Sequence, residues 1–450
     1  MSGQVITNPS VVQTLIEHTR RHVSDDTLVR AGRHVLDWLG SAMLGAQHPS
    51  VAGFMRASRQ GAGNCSTLGA GQRDWWHALQ FNAAVGNVLE MDDLHRGSIL
   101  HPGPVIVPAA IAVAEQVGAS SRALLMAIVR GYETTIRIGR ALGPGHYAYF
   151  HNTSTAGTFG AATAAADLLG LDAQQTAWAL GNAGSRTGGL WQMRHEACET
   201  KSLHNVQAAQ CGVQSAMLAA QGVRGPLRIL EGPQGLFAAT APGAAARSVL
   251  DHLDAPWAIH EVSFKPWPAC RHAHPTIDAA LALRHLIGTT TIKHIDIESY
   301  QSAIDFCDKP APTTELEAKF SLQHCAAAVL LEGAPWLQHF ALDYLAEPRV
   351  TALRALVRVK AAADLTTRFP QHYGARITVH LADGRTLQHE QADALGDPEL
   401  PMSEIQLVQK ARHLLGAAGL TDTNVEALIV AVVSLVDGAP LADVTSRWTT

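Results

Sequence analysis

Clustered cysteines are missing from this sequence. The six thiols, Cys65, Cys198, Cys211, Cys270, Cys307 and Cys325, are scattered along 450 residues, and no C-x-x-C pair occurs. Structural zinc sites and cysteine-ligated iron–sulfur clusters draw on grouped thiolates, so neither is expected. Free thiols in a reducing cytoplasm are the simplest reading. Apolar runs of bilayer length are also missing. The best stretches, ALIVAVVSLV (427–436) and AATAAADLLG (161–170), fall short of the roughly 20 residues that cross a membrane and read as core helices. The opening MSGQVITNPS has no basic segment followed by an apolar one, so no secretory leader is expected. Charge is scarce too: 16% of residues are charged against 47% hydrophobic, which suits a well-buried globular chain and argues against disorder. With a net charge of −5, no basic surface invites nucleic acid or an anionic membrane.

Histidine, by contrast, is plentiful at 23 residues. It titrates near neutrality and ligates metals, so its placement along the chain matters. Up to about residue 260 the sequence reads as helices separated by glycine-rich turns. DTLVRAGRHVLDWLGSAMLG (26–45) and SRALLMAIVRGYETTIRIGRALG (121–143) carry apolar residues at helical spacing and end on glycine. TSTAGTFGAATAAADLLG (153–170) and NVQAAQCGVQSAMLAAQG (205–222) are dense in small residues that let helix backbones approach, which predicts central places in a bundle. Near 262 the pattern changes. IKHIDIES (292–299), ALVRVKAA (355–362) and ARITVHLADGRTLQHEQ (375–391) alternate with period two, the last as a hairpin turning at ADGR. The expected fold is therefore mostly α with a smaller α+β domain. Residues 1–262 and 403–450 would form a helical-bundle domain from both chain ends, and 263–402 an inserted α+β domain.

The stretch LEMDDLHRGSILHPGP (89–104) packs Glu90, Asp92, Asp93, His95, Arg96 and His101 beside an apolar run. Four later stretches place imidazoles or cations beside helical segments. FHNTSTAGTFG sets His151 ahead of a cappable helix start, where free N–H groups favour an anion. MRHEACETKSLHN supplies Met193, Arg194, His195, Lys201 and His204, the last two about one helical turn apart. FKPWPACRHAH supplies Lys265, Cys270, Arg271, His272 and His274, and KFSLQH adds Lys319 and His324. No H-E-x-x-H spacing occurs, and His95 and His101 stand too far apart for one helical face, so no metal site is expected. Convergent cations in a mildly acidic protein, in a cleft between two domains, suit a small polycarboxylate. Spacing and charge do not give the reaction.

Several of these motifs resemble the MmgE/PrpD family. They are E-M-D-D…H-P-G-P…P-A-A-I-A-V-A-E (90–115), H-N-T-S-T-A-G-T-F-G-A-A-T-A-A-A (151–166) and T-K-S-L-H…A-A-Q-C-G (200–212), then G-P-L-R-I-L-E-G-P-Q-G (225–235), K-P-W-P-A-C-R-H-A-H (265–274) and E-A-K-F-S (317–321). They run in order along nearly the whole chain. The resemblance implies a helical domain with an α+β lid, a homodimer, and carbanion chemistry beside a carboxylate without metal or other cofactor. It implies His101 and His151 as acid/base groups, Lys201 and Lys265 as carboxylate anchors, and Asp93 orienting a histidine or a bound hydroxyl. Glu90, Met193, His204, Cys270 and His274 would bind substrate. Among the family's reactions, dehydration of a hydroxylated di- or tricarboxylate is expected first, epimerisation of a dicarboxylate second, and decarboxylation of a cis-aconitate-like acid third. Departures inform that order: Glu90 replaces a frequent aspartate, Leu94 a threonine or serine, and Val206 a glycine. Cys270 and His324 stand where the decarboxylase branch places histidine and tyrosine.

Overall fold

A computed structural model describes residues 8–58, 61–196 and 198–448. The opening residues to Thr7, expected to hold no leader, lie outside the described residues. The chain divides into two compact units. One comprises Met1–Val88, Asp92–Val262 and Glu404–Thr450; the other comprises Leu89–Met91 and Ser263–Ser403. Among the described residues no helix is long and apolar enough to cross a membrane.

The first unit begins with helices α1 (Val11–Thr19), α2 (Asp25–Gly45), α3 (Trp75–Val85), α4 (Gly103–Val117), α5 (Ser121–Tyr147), α6 (Asn152–Leu168), α7 (Ala173–Gly184) and α8 (Thr200–Ala220). A short hairpin, β1 (Cys65–Thr67) with β2 (Gly71–Arg73), precedes α3. Serine caps start α1, α2 and α5, each accepting from the third helical residue's N–H, which satisfies an otherwise orphaned donor. The helical path of α5 breaks at Gly143, φ 70, next to Pro144, and 143 is where its apolar periodicity ended. Helix α6 is buried on every side through Ala166. Its small residues make that possible. A Cβ on Gly160 would come 1.8 Å from Thr135 Oγ1, and one on Gly212 of α8 would come 2.7 Å from the Ala162 nitrogen. Glycine at both positions is therefore a condition of the packing, not a relic of a turn.

The second unit carries a four-stranded sheet in the order β4 (Val357–Ala361), β3 (Ile292–Ser299), β5 (Ala375–Leu381), β6 (Thr386–Gln391). The β3–β4 pair is parallel and the other two are antiparallel. The ADGR turn joins β5 to β6: Gly384 adopts φ 89, and the Asp383 carboxylate accepts from the Arg385 N–H at 3.0 Å. Alternation sends Ile295, Ile297, Ile377 and Val379 into a core with Ile277 and Leu283 of α9 (His274–Ile287) and Val329 of α10 (Leu322–Glu332). The opposite face keeps His294, Asp296 and His380 partly exposed.

The chain then returns to the first unit with α11 (Glu404–Ala417), α12 (Asp422–Val433) and α13 (Leu441–Trp448). Leu415, Leu428, Val444 and Trp448 join the core of Leu36, Trp38 and Leu39, and the Trp38 and Trp448 rings meet edge to face at 5.7 Å. Lys410 Nζ of α11 bonds the buried Asp37 carboxylate of α2 at 2.6 Å. A fragment of residues 1–262 would strip this face of α2 and leave Asp37 without its cation. Each large core side chain is worth roughly 1.5–3 kcal/mol, so cooperative folding should be lost. A urea titration of that fragment should show no sigmoidal transition; a cooperative one would contradict this packing account.

Candidate active site

The acidic cluster that stands out in the sequence is divided in space. Leu89–Met91 belongs to the second unit and Asp92 onward to the first. In the first unit, Asp93 is buried at the centre of a hydrogen-bond network. Its Oδ2 accepts from Tyr132 Oη and His34 Nδ1, each at 2.7 Å, and its Oδ1 accepts from the Gly103 N–H at 2.9 Å. A Cβ on residue 103 would lie 2.7 Å from Oδ1, so glycine after Pro102 is what lets the amide reach the carboxylate. Burial pushes the Asp93 carboxyl up to about 6, against the pull of Tyr132 and Gly103. Burial also holds His34 well below its ordinary range, so it donates as a neutral ring.

The carboxylate beside His101 is Asp92. His101 Nδ1 lies 2.8 Å from Asp92 Oδ2 and 2.9 Å from the Asp93 carbonyl oxygen. Both neighbours are acceptors, so Nδ1 carries a hydrogen, and in the neutral ring the lone pair sits on Nε2. Among the described residues Nε2 has no protein partner, and the side chain is 13% exposed while Asp92 is 1% exposed. The loop carrying His101 is strained and firmly held. Ile99, a β-branched residue, adopts φ 48. His95 and Leu100 bridge across it, His95 Nδ1 pairs with Ser98 Oγ at 2.7 Å, and Asn152 Nδ2 donates to the Ser98 carbonyl at 2.8 Å. On its other side His95 Nε2 is near both Glu261 (3.3 Å) and Arg140 (3.2 Å). His95 thus anchors the loop.

The start of α6 organises the rest. The His101 N–H donates to Thr153 Oγ1 at 3.0 Å, and His151 is the residue that precedes the helix. The buried His151 ring lies 4.5 Å from Trp191, with its Nδ1 3.1 Å from His204 Nδ1. One of these nitrogens donates and the other accepts, so the two imidazoles share a hydrogen. Burial lowers His204 to about 4. The His151 N–H donates to the Gly189 carbonyl at 2.9 Å, and a Cβ on Gly189, itself at φ 114, would meet Ser154 at 2.7 Å. Lys201 and His204 lie one turn apart at the start of α8. Met193 is half-buried in the 3₁₀ turn Trp191–His195. The asparagines Asn152 (Oδ1) and Asn205 keep buried amide atoms unpaired among the described residues, a pattern that structural cores rarely tolerate.

The remaining candidates lie in the second unit. Glu90 is buried at φ 58, a conformation few non-glycine residues adopt, and its Oε2 bonds the fully buried Lys265 Nζ at 3.2 Å. Cys270 is buried, and its N–H donates to the Lys319 carbonyl at 2.9 Å. His274, at the start of α9, has Nδ1 3.2 Å from Arg271 and Nε2 3.1 Å from the Ala269 carbonyl, so both ring nitrogens are held by neighbours. His324 is tied likewise, with Nε2 2.7 Å from the His339 carbonyl. The groups that sequence reasoning passed over are Asp92, His34 and Tyr132. Asp92 was visible in the motif; the other two carry no local signal.

With this geometry in view, comparison with known proteins is decisive. The MmgE/PrpD N-terminal domain profile matches residues 11–248, and the MmgE/PrpD C-terminal domain profile matches 267–435. The chain belongs to the MmgE/PrpD family. It is 29% identical over 440 residues to a human cis-aconitate decarboxylase, covering 92% of this chain and 89% of that protein. The mouse cis-aconitate decarboxylase is 29% identical over 442 residues, covering 92% and 88%. A cis-aconitate decarboxylase-like protein, oryM, of Aspergillus oryzae is 25% identical over 420 residues, covering 86% of each. The human and mouse relatives are enzymes of the lyase class. Two departures from the family pattern, Leu94 and Cys270, are both buried.

Proposed function

We propose that the protein is a hydro-lyase acting on a small hydroxylated di- or tricarboxylate without metal or other cofactor. The observation that carries this reading is the His101 ring, partly exposed, its Nδ1 beside Asp92 and a carbonyl and its Nε2 without a protein partner among the described residues. In the proposed step Nε2 takes a proton from the carbon beside a substrate carboxylate. The electron pair moves into that carboxylate as an enediolate, and Lys201 with the N-terminus of α6 offsets the growing charge. The pair then forms the double bond as the neighbouring hydroxyl leaves with a proton from His151, which enters this step as the imidazolium, its Nδ1–H donating to neutral His204, giving an alkene and water. Asp93 acts through structure, fixing the Gly103 end of the loop. A second reading, decarboxylation of a cis-aconitate-like acid, is favoured by the names of the relatives. It would break a carbon–carbon bond, release carbon dioxide and protonate the resulting carbanion.

The test is a screen of citrate-like and malate-like acids by far-ultraviolet absorbance and NMR, run after exhaustive chelation in air. At least one acid is expected to turn over at a rate unchanged by chelator. Activity lost in chelator and restored by a divalent metal would overturn the metal-free mechanism.

A further inference from the structure

On the partly exposed face of the second unit's sheet, three ligand-type side chains meet. His294 of β3 and His380 of β5 are ladder partners, and their rings stack with centroids 4.1 Å apart and planes 14° off parallel. Asp296 stands two residues along β3, so it shares their face. Its Oδ2 lies 3.1 Å from His380 Nε2 and 3.5 Å from His294 Nε2. Tetrahedral zinc with bonds of about 2.0–2.1 Å has ligand–ligand edges of about 3.3 Å. The two measured separations bracket that edge.

The surrounding charges sharpen the point. Glu298, the next residue of β3 on this face, is neutralised by Lys360 Nζ at 3.0 Å and Arg376 Nη1 at 2.9 Å. Asp296 has Arg358 as its register neighbour on β4, yet among the described residues its ion pairs are to the two imidazoles alone. His380 Nε2 donates to the Asp296 carboxylate at 3.1 Å, and Thr386 Oγ1 lies 3.4 Å from its Nδ1 and steadies the ring; a metal ion would take the place of the Nε2 proton. A second cluster, His372 with Asp393 and Glu399, differs in offering one imidazole and two carboxylates, with Glu399 exposed.

We propose that His294, Asp296 and His380 form a binding site for a borderline transition-metal dication, zinc in the first place, with water completing the coordination and the ion tying β3 to β5. Two imidazoles and one carboxylate match zinc or cobalt better than calcium or magnesium. The site shares no residue with the proposed catalytic groups. The experiment titrates chelator-stripped full-length protein with zinc chloride by calorimetry and with cobalt(II) by visible absorption. It compares wild type with His380→Gln, His294→Gln and Asp296→Asn, and uses His372→Gln as control. These partly exposed substitutions should change the metal-free Tm little. Wild type and His372→Gln are expected to bind one equivalent that each of the three variants loses or binds at least tenfold more weakly. They should also show the intense visible band of tetrahedral cobalt and a zinc-dependent rise in Tm. Equal stoichiometry and affinity in wild type and all three variants would overturn the proposal, as would the absence of any zinc uptake by wild type.

Discussion

Replacing His101 by Asn or His151 by Gln should lower kcat by roughly 10²–10⁴-fold on whichever acid proves to be the substrate, the usual scale for a positioned acid or base. The two losses should differ in kind from Lys201→Met, which removes a carboxylate partner and should raise KM as well as lower kcat. Asp92→Asn should lower kcat while sparing KM, because the Asp92 carboxylate touches Nδ1 of His101 and acts through it. His413→Gln, exposed on α11, is the control and should retain full activity. Steady-state kinetics on the five variants checks the set. Near-normal turnover in both the His101 and His151 variants would mean that the chemistry lies elsewhere.

The largest expected effect on stability is at Glu133 of α5, far in sequence from its partners. Its carboxylate is fully buried and accepts from Arg137 Nε at 2.6 Å, His18 Nε2 at 2.9 Å and the Ala258 N–H at 2.7 Å. Arg137 in turn donates to the carbonyls of Val249, Asp251 and His252, so one acid ties α5 to α1 and to the 249–258 segment. Burial alone would raise the Glu133 carboxyl, but the bonds from His18, Ala258 and Arg137 outweigh it and hold it down at about 2. A depressed acid stabilises fully above its unfolded value of 4.5 and loses that contribution as pH falls towards 2. Glu133→Gln should therefore cost roughly 3–5 kcal/mol at neutral pH, as expected when a buried charge network loses one partner. The gap between wild type and variant should narrow as pH falls below 4.5. Urea midpoints measured across that range check both sign and size; a pH-independent gap would assign the loss to packing instead.

Much of the fold was legible because periodicity survives where packing is regular. The spacing over 121–143 and the break at Gly143 coincide with the helical part of α5, and IKHIDIES spans β3 to the residue. The ADGR turn is where the hairpin closes. The β1–β2 hairpin was not legible, since its three-residue strands carry no alternation to read. The site was harder. Asp92 and Asp93 are neighbours of the same type, and only the fold decides that Gly103, Tyr132 and His34 surround one while His101 reaches the other. His34 and Tyr132 come from α2 and α5, where helical periodicity marks them as ordinary core positions. His95 looked as chemically able as His101 in the motif, yet its two nitrogens are occupied by Ser98 on one side and Glu261 with Arg140 on the other. Composition identifies groups able to do chemistry; only the tertiary hydrogen bonds separate those held from those left accessible.

The most direct test of the central claim follows a reacting acid by NMR in deuterium oxide with chelator present, reading the alkene, the released carbon dioxide and the label in recovered substrate together. The account predicts an alkene formed with loss of water, no carbon dioxide, and any label confined to the carbon beside the carboxylate. Stoichiometric carbon dioxide release, or deuterium entering the substrate while its hydroxyl stays in place and no alkene forms, would contradict it.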